Sequence, residues 1–251
     1  MSIYIVTHKR FEPPQLNDYV PIQVGKNQTH SELGYLSDET GDNIAEKNST
    51  YCELTALYWL WKNCTDSVVG LCHYRRYFTR NPFSINPRYY LSFEKAQSIL
   101  KEYDVVLPEK IYLKSSVQDK YSLSGAGLQK DLDELERIIK RRFPEYFEYY
   151  HKVMIGYEEY FWNMFILKKE LLDQYCCWLF AILGELEKVT DLSSYDSRQK
   201  RIYGYISERL LNVWVEKNHL KVYECPVVQS DKPLKSVIKT NIGIKMKRRK
   251  L

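Results

Sequence analysis

Two patterns of apolar residues alternate along this chain: short unbroken apolar runs, and longer stretches in which apolar residues recur at helical spacing. IYIVTH (3–8), YVPIQVG (19–25), VVGLC (68–72), YDVVLP (103–108), YFWNMFILKK (160–169) and LKVYECPVV (220–228) have strand length and are rich in β-branched and aromatic residues. ELTALYWLWKN (53–63), SFEKAQSILKE (92–102), KDLDELERIIKRRF (130–143, closed by Pro144), ELLDQYCCWLFAILGELEKV (170–189) and RIYGYISERLLNVWVEKN (201–218) read as helices. Ser49 or Thr50 is the expected N-cap of the first of these. Strands without polar alternation are buried on both faces, as parallel strands are when helices cover a sheet. Helices and strands in alternation therefore predict an α/β fold. With no repeat, low-complexity segment or linker, a single domain over residues 1–231 is expected.

One run ends abruptly. VVGLCHYRRYF (68–78) passes from core residues straight into His73, Tyr74, Arg75 and Arg76. Two adjacent arginines are costly to desolvate unless something negative meets them. In open α/β sheets ligands bind beyond the carboxyl ends of strands, and planar guanidiniums match phosphate oxygens. The alternative is that one arginine points outward and the other pairs with a carboxylate at the core edge. Thr7 and His8 follow the first strand in the same way, where a base or ribose would sit, or mark a plain strand-to-loop transition. GDNIAEKN (41–48), followed by Glu53, supplies Asp42, Asn43 and Lys47, which suit sugar hydroxyls or equally a loop closed by Asx turns. Glu208 in SERLL is the candidate general base. Glu158 and Glu159 compete with it, and a pair with Arg209 or Lys200 is its bland alternative.

Composition adds less. Hydrophobic residues make up 44% of the 251, enough for a sizeable core, and 22 tyrosines suit wet clefts. The net charge of +5 is uneven. Of 37 Lys and Arg residues, eight lie from Lys232 onward with no acid among them, which leaves 29 basic against 32 acidic residues before that point, a net −3. The basic stretch 232–251, ending in KMKRRKL, is thus expected as a tail suited to anionic lipid, with nucleic acid the rival. An acidic body whose arginines form no stripe argues against nucleic acid. No apolar run reaches the ~20 residues of a membrane span and no signal peptide is read, so a cytoplasmic protein is expected. Its six cysteines (52, 64, 72, 176, 177, 225) are then reduced, and none has metal-ligand spacing. Phosphate-loop, dinucleotide, zincin and nucleophile-elbow motifs are absent.

The blocks DETGDNIAEKNSTYCELTALYWLWKN, VVGLCHYRRYF, WNMFILKKELLDQYCCWLFAIL, GYISERLLNVW and ECPVV together resemble the bacterial DUF4422 family of capsule and exopolysaccharide glycosyltransferases, across about residues 3–228. The resemblance implies a GT-A-like (Rossmann-like) fold with a mixed, mostly parallel central sheet flanked by helices. It also implies hexosyl transfer, galactofuranosyl for some relatives, from a UDP-sugar to a polyprenyl-diphosphate-linked glycan at the inner face of the plasma membrane. GT-A enzymes hold a divalent metal with Asp-x-Asp; here HYRR stands in that place. The expectation is therefore that Arg75, Arg76 and His73 neutralise the departing diphosphate instead of a metal. Thr7, His8, Asp42, Asn43 and Lys47 would bind nucleotide and donor sugar, with Tyr74 among the stacking aromatics and Asn163 and Met164 placing donor or acceptor. Glu208 would act as base if the anomeric centre inverts. A catalytically inactive module of the same fold, binding glycan or nucleotide, is the other reading.

Overall fold

The apolar runs that open the chain and that precede His73 lie side by side at the centre of one sheet. The computed structural model describes residues 2–29 and 31–248. Its strands are β1 (Ser2–Thr7), β2 (Tyr19–Gln23), β3 (Leu36–Ser37), β4 (Val68–His73), β5 (Arg76–Phe78), β6 (Val105–Pro108), β7 (Ile111–Tyr112), β8 (Glu158–Glu159), β9 (Phe165–Lys168), β10 (Val222–Cys225) and β11 (Val227–Gln229). Along the main sheet the order is β10-β6-β9-β4-β1-β2-β3. Neighbours are parallel except at β9, which runs against both β4 and β6. β5 turns back on the end of β4, pairing Arg76 with His73, and β11 adds to β5. β7 and β8 form a separate pair.

Helices α1 (Lys26–Thr29), α2 (Asn48–Tyr51), α3 (Leu54–Asn63), α4 (Phe93–Ile99), α5 (Val117–Leu123), α6 (Gln129–Arg142), α7 (Phe147–Ile155), α8 (Lys169–Val189), α9 (Ile202–Lys217) and α10 (Leu234–Arg248) surround this sheet. Successive strand residues serve opposite faces. Tyr4, Val6, Val69, Leu71, Phe165 and Leu167 join one core with the apolar faces of α3, α6, α8 and α9. Ile3, Ile5, Val68, Cys72 and Ile166 face a second core with α4, Phe78 and Tyr90. Gly70 is the exception among these side chains: a Cβ there would come within 2.9 Å of Ile3 Cγ1 and 3.2 Å of Ile166 Cγ1, so neighbouring side chains already fill its place.

Three expectations are corrected. The 160–169 run is a strand only from Phe165, because Trp162 and Asn163 take left-handed backbone angles (φ 76° and 49°) and leave the ladder. The 220–228 run breaks at Pro226, which has no N–H to pair, and continues as a strand in a different place. Neither Ser49 nor Thr50 caps α3: both lie inside α2, and the chain reverses at Cys52 (φ 53°) before α3 begins. The basic tail is helical from Leu234 and docked, with Val237 and Asn241 buried and Asn241 donating to the Pro82 carbonyl (2.6 Å). Its last residues, Arg249, Lys250 and Leu251, lie outside the described residues. All six cysteines are free.

Candidate active site

Because β9 runs against β4, with Leu71 opposite Phe165, the residues entering β9 lie beside those leaving β4. The carboxyl end of β1 lies alongside, and the whole edge opens on a cavity of about 750 Å³. The 73–76 turn, Thr7 and His8, Phe161 and Trp162, Cys52 and Glu53, and the first half of α9 form its walls. Six cations line it (Arg75, Arg76, Lys120, Arg198, Arg201, Arg209) against two acids, Glu53 and Glu208. That imbalance suits an anion.

The two adjacent arginines have different surroundings. Arg75 is 42% exposed and its Nη1 lies 3.2 Å from Asp231 Oδ2, with its guanidinium over the Tyr74 ring. Arg76 is half-buried, has no acid within ion-pair distance among the described residues, and stacks 5.3 Å over the Trp162 ring. Its Nε is buried without a hydrogen-bond partner. Burial, and then the charge of Arg75, pull its pKa below the ordinary guanidinium value, while Glu208 and Glu53 act against them. A guanidinium stays charged through such a shift, so Arg76 is a cation awaiting a counter-ion.

The Trp162 ring under Arg76 is held in turn by its own backbone. Its N–H donates to Glu208 Oε1 (2.9 Å), and its carbonyl accepts from His73 Nε2 (2.6 Å). The next residue, Asn163, is buried, with Nδ2 at 2.7 Å from Glu53 Oε1, 2.9 Å from Ser207 Oγ and 3.1 Å from the Gly204 carbonyl. Fixing both ends of the Trp162 peptide maintains a backbone conformation that costs a non-glycine residue of order 1–3 kcal/mol. Cys52, the other left-handed residue on the cavity wall, is held by Arg201, whose Nε lies 3.1 Å from Sγ. Burial pushes the Cys52 thiol up to about 11, so it is no nucleophile at neutral pH.

His73, the last residue of β4, lines the cavity. Burial pushes its pKa down to about 4, with Arg76 adding to the effect. Its Nε2 donates to the Trp162 carbonyl, so the imidazole braces that backbone. Glu208 is raised by burial, restrained by Arg209 and raised further by Glu53. Its Oε2 takes a bond from Arg209 Nη1 (2.9 Å), and Arg209 Nε lies 3.2 Å from Glu159 Oε1. Glu159 and Arg209 are both buried, and burial pushes the Glu159 carboxyl up to about 8 although the Arg209 guanidinium acts against it. Glu158 pairs with Lys110 on the surface.

Of the remaining residues expected at the site, His8 and Tyr74 line the cavity, as does Thr7, whose hydroxyl is spent on the Lys9 carbonyl (2.6 Å). Asp42, Asn43 and Lys47 lie elsewhere and are corrected. Asp42 accepts from Tyr58, Asn43 donates to the Glu39 and Gly41 carbonyls, and Lys47 pairs with Glu187 (2.7 Å). Met164 is also corrected: it is fully buried in the second core, on the sheet face opposite to that of Phe165, which follows it and joins the first core. Asn163 stands behind the cavity wall and not in it. Sequence reasoning missed Arg201, Arg198 and Lys120, which sit in charged stretches with no distinguishing pattern.

Residues 2–219 match the family described as "Domain of unknown function (DUF4422)", and the chain belongs to that family. No curated protein matches. Among solved structures, the apo structure of the WbbM bifunctional glycosyltransferase is similar at 30% identity with a TM-score of 0.85, covering 92% of this chain. The chain spans 45% of that longer chain. The fold is thus the mixed, mostly parallel α/β fold seen in a glycosyltransferase. No group of three or more His, Cys, Asp or Glu side chains among the described residues is placed to hold a metal ion. Glu53 and Glu208, the two acids facing the cavity, already hold Asn163, Trp162 and Arg209.

Proposed function

We propose that the chain is a glycosyltransferase that moves a hexosyl group, galactofuranosyl or galactosyl, from a UDP-sugar to a lipid-linked or oligosaccharide acceptor in bacterial surface polysaccharide synthesis. The observation that carries this reading is Arg76: a half-buried guanidinium with no acid of its own, beside a hollow in the size range of ligand sites (~300–1,000 Å³). As the bond between the anomeric carbon and the phosphate oxygen breaks, negative charge grows on the diphosphate. A cation already partly desolvated and stacked on the Trp162 ring stabilises that charge with little reorganisation. Arg201 and Arg198 extend the same field. Glu208, raised by burial, accepts the acceptor's proton if the reaction inverts.

A thermal-shift panel of UDP, UDP-galactose and UDP-galactofuranose, with and without EDTA, tests this. A ligand at 100 times its Kd stabilises the fold by ~2.7 kcal/mol, and EDTA is expected to leave the shift in place. Absence of any shift with every UDP ligand overturns the reading; loss of the shift in EDTA, restored by Mn²⁺, overturns the metal-free part of it.

The reading extends to the membrane. No described helix is long and apolar enough to cross one. α10 leaves Leu234, Ile242 and Met246 exposed along with Lys235 and Lys239, a mixture suited to anionic lipid at the inner face. Sedimentation with phosphatidylglycerol vesicles but not with phosphatidylcholine vesicles is expected, and equal sedimentation with both would remove this part.

A further inference from the structure

A second cavity, of about 650 Å³, lies against the first. The two share only Tyr74 and Arg75 in their linings. The 9–15 segment after β1 forms one side of it, Ile85, Pro87 and Tyr90 another, and Ser230 and Asp231 after β11 close it.

Its chemistry is unlike that of its neighbour. Lys9 and Arg75 face Glu12 and Asp231, so the lining is charge-balanced, and Arg75 and Asp231 are already bound to each other. Phe11, Pro13, Pro14 and Tyr90 supply apolar ring faces, with Gln15 and Ser230 as neutral hydrogen-bonding groups. Apolar rings interspersed with an amide, a hydroxyl and an ion pair suit the C–H faces and hydroxyls of a neutral sugar and offer nothing special to a phosphate. The walls are also built in advance. Tyr35 donates its hydroxyl to the Phe11 carbonyl (2.7 Å) and packs on the Phe11 ring, while the Tyr90 hydroxyl donates to the Ile85 carbonyl (3.2 Å). At the shared boundary, the Tyr74 hydroxyl is buried and has no protein partner.

We infer that this second cavity is the acceptor site and that it takes a neutral oligosaccharide. The inference rests on the glycosyltransferase reading for the word acceptor, and on the cavity's own chemistry for the word oligosaccharide. In a transfer reaction the acceptor hydroxyl must reach the carbon bonded to the departing diphosphate. A groove that meets the cationic cavity at Tyr74 and Arg75 brings the two substrates together there. The Arg75–Asp231 pair then acts as the partition between an anionic ligand on one side and a neutral one on the other.

Saturation-transfer NMR on the full chain tests this without requiring turnover. The probes are neutral trisaccharides of galactose, glucose or N-acetylglucosamine, with inorganic phosphate and UDP as the anionic arm. At least one trisaccharide is expected to show transfer, and the Phe11→Ala/Gln15→Ala double variant should weaken its affinity on the order of tenfold. Ile85→Trp, which fills the groove from the opposite wall, should do the same if the double variant melts early. UDP affinity should stay at the parent value in both. No transfer to any trisaccharide, transfer unchanged in a folded variant, or phosphate or UDP displaced by the same substitutions overturns the acceptor site. Saccharide binding lost in the variants while UDP fails to bind even the parent supports the oligosaccharide site and overturns the donor reading alone.

Discussion

The loop at 41–48 and the turn at 73–76 carry similar densities of hydrogen-bonding groups, yet they meet opposite fates. In the loop nearly every side chain is satisfied by the protein: Asn43 bonds the Glu39 and Gly41 carbonyls and accepts from the Ala45 N–H, Asp42 takes the Tyr58 hydroxyl, and Lys47 takes Glu187. In the turn, Arg76 Nε and the Tyr74 hydroxyl are buried with no partner, and the Arg76 guanidinium faces a hollow. Folded proteins satisfy the great majority of their buried polar groups, so the exceptions need a reason. A cluster of polar residues is thus a poor guide to a binding site; polar groups left unsatisfied beside space are a better one.

The largest expected effect comes from Arg76→Ala. A charged hydrogen bond is worth about 1.5–3 kcal/mol, so donor turnover should fall on the order of 10- to 150-fold. Thermal stability should hold or rise, because a half-buried cation without a counter-ion has been removed. Parent turnover in the purified variant would erase the distinction between turn and loop.

The loop should respond in the opposite sense and more weakly. Asn43→Ala removes local bonds and should cost about 1 kcal/mol of stability by denaturant titration. Lys47→Ala breaks a partly exposed ion pair and should cost less, under about 1 kcal/mol. Donor turnover should remain within about twofold of the parent for both, as for surface changes away from a site. A turnover loss matching that of Arg76→Ala would place the loop back in the site.

Much of the architecture was legible because it is local. Unbroken apolar runs marked β1, β4 and β6, and helical spacing marked α3, α6, α8 and α9 to within a few residues, since burial on one face or two imposes a period that neighbouring residues carry. The 160–169 run misled because Trp162 and Asn163 are apolar or neutral like a strand, while their backbone obeys side chains far away in the chain. α5 and α7 were not read, their short lengths and mixed composition giving little periodicity to follow.

The site was legible in part. A core strand ending in His73, Tyr74, Arg75 and Arg76 pointed to the right edge of the sheet, because strand ends and buried charge are properties of a short stretch. Which arginine is free could not be read there, nor that His73 braces the Trp162 backbone. Arg75 is occupied by a carboxylate 156 residues away, Lys47 by one 140 away, and His73 by a carbonyl 89 away. By itself, then, the sequence determined the longer strands and helices and the presence of cations where β4 ends, all consequences of short-range pattern. Only the tertiary structure decided which polar groups meet a partner, because hydrogen bonds and ion pairs act over a few ångströms of space whatever the separation along the chain.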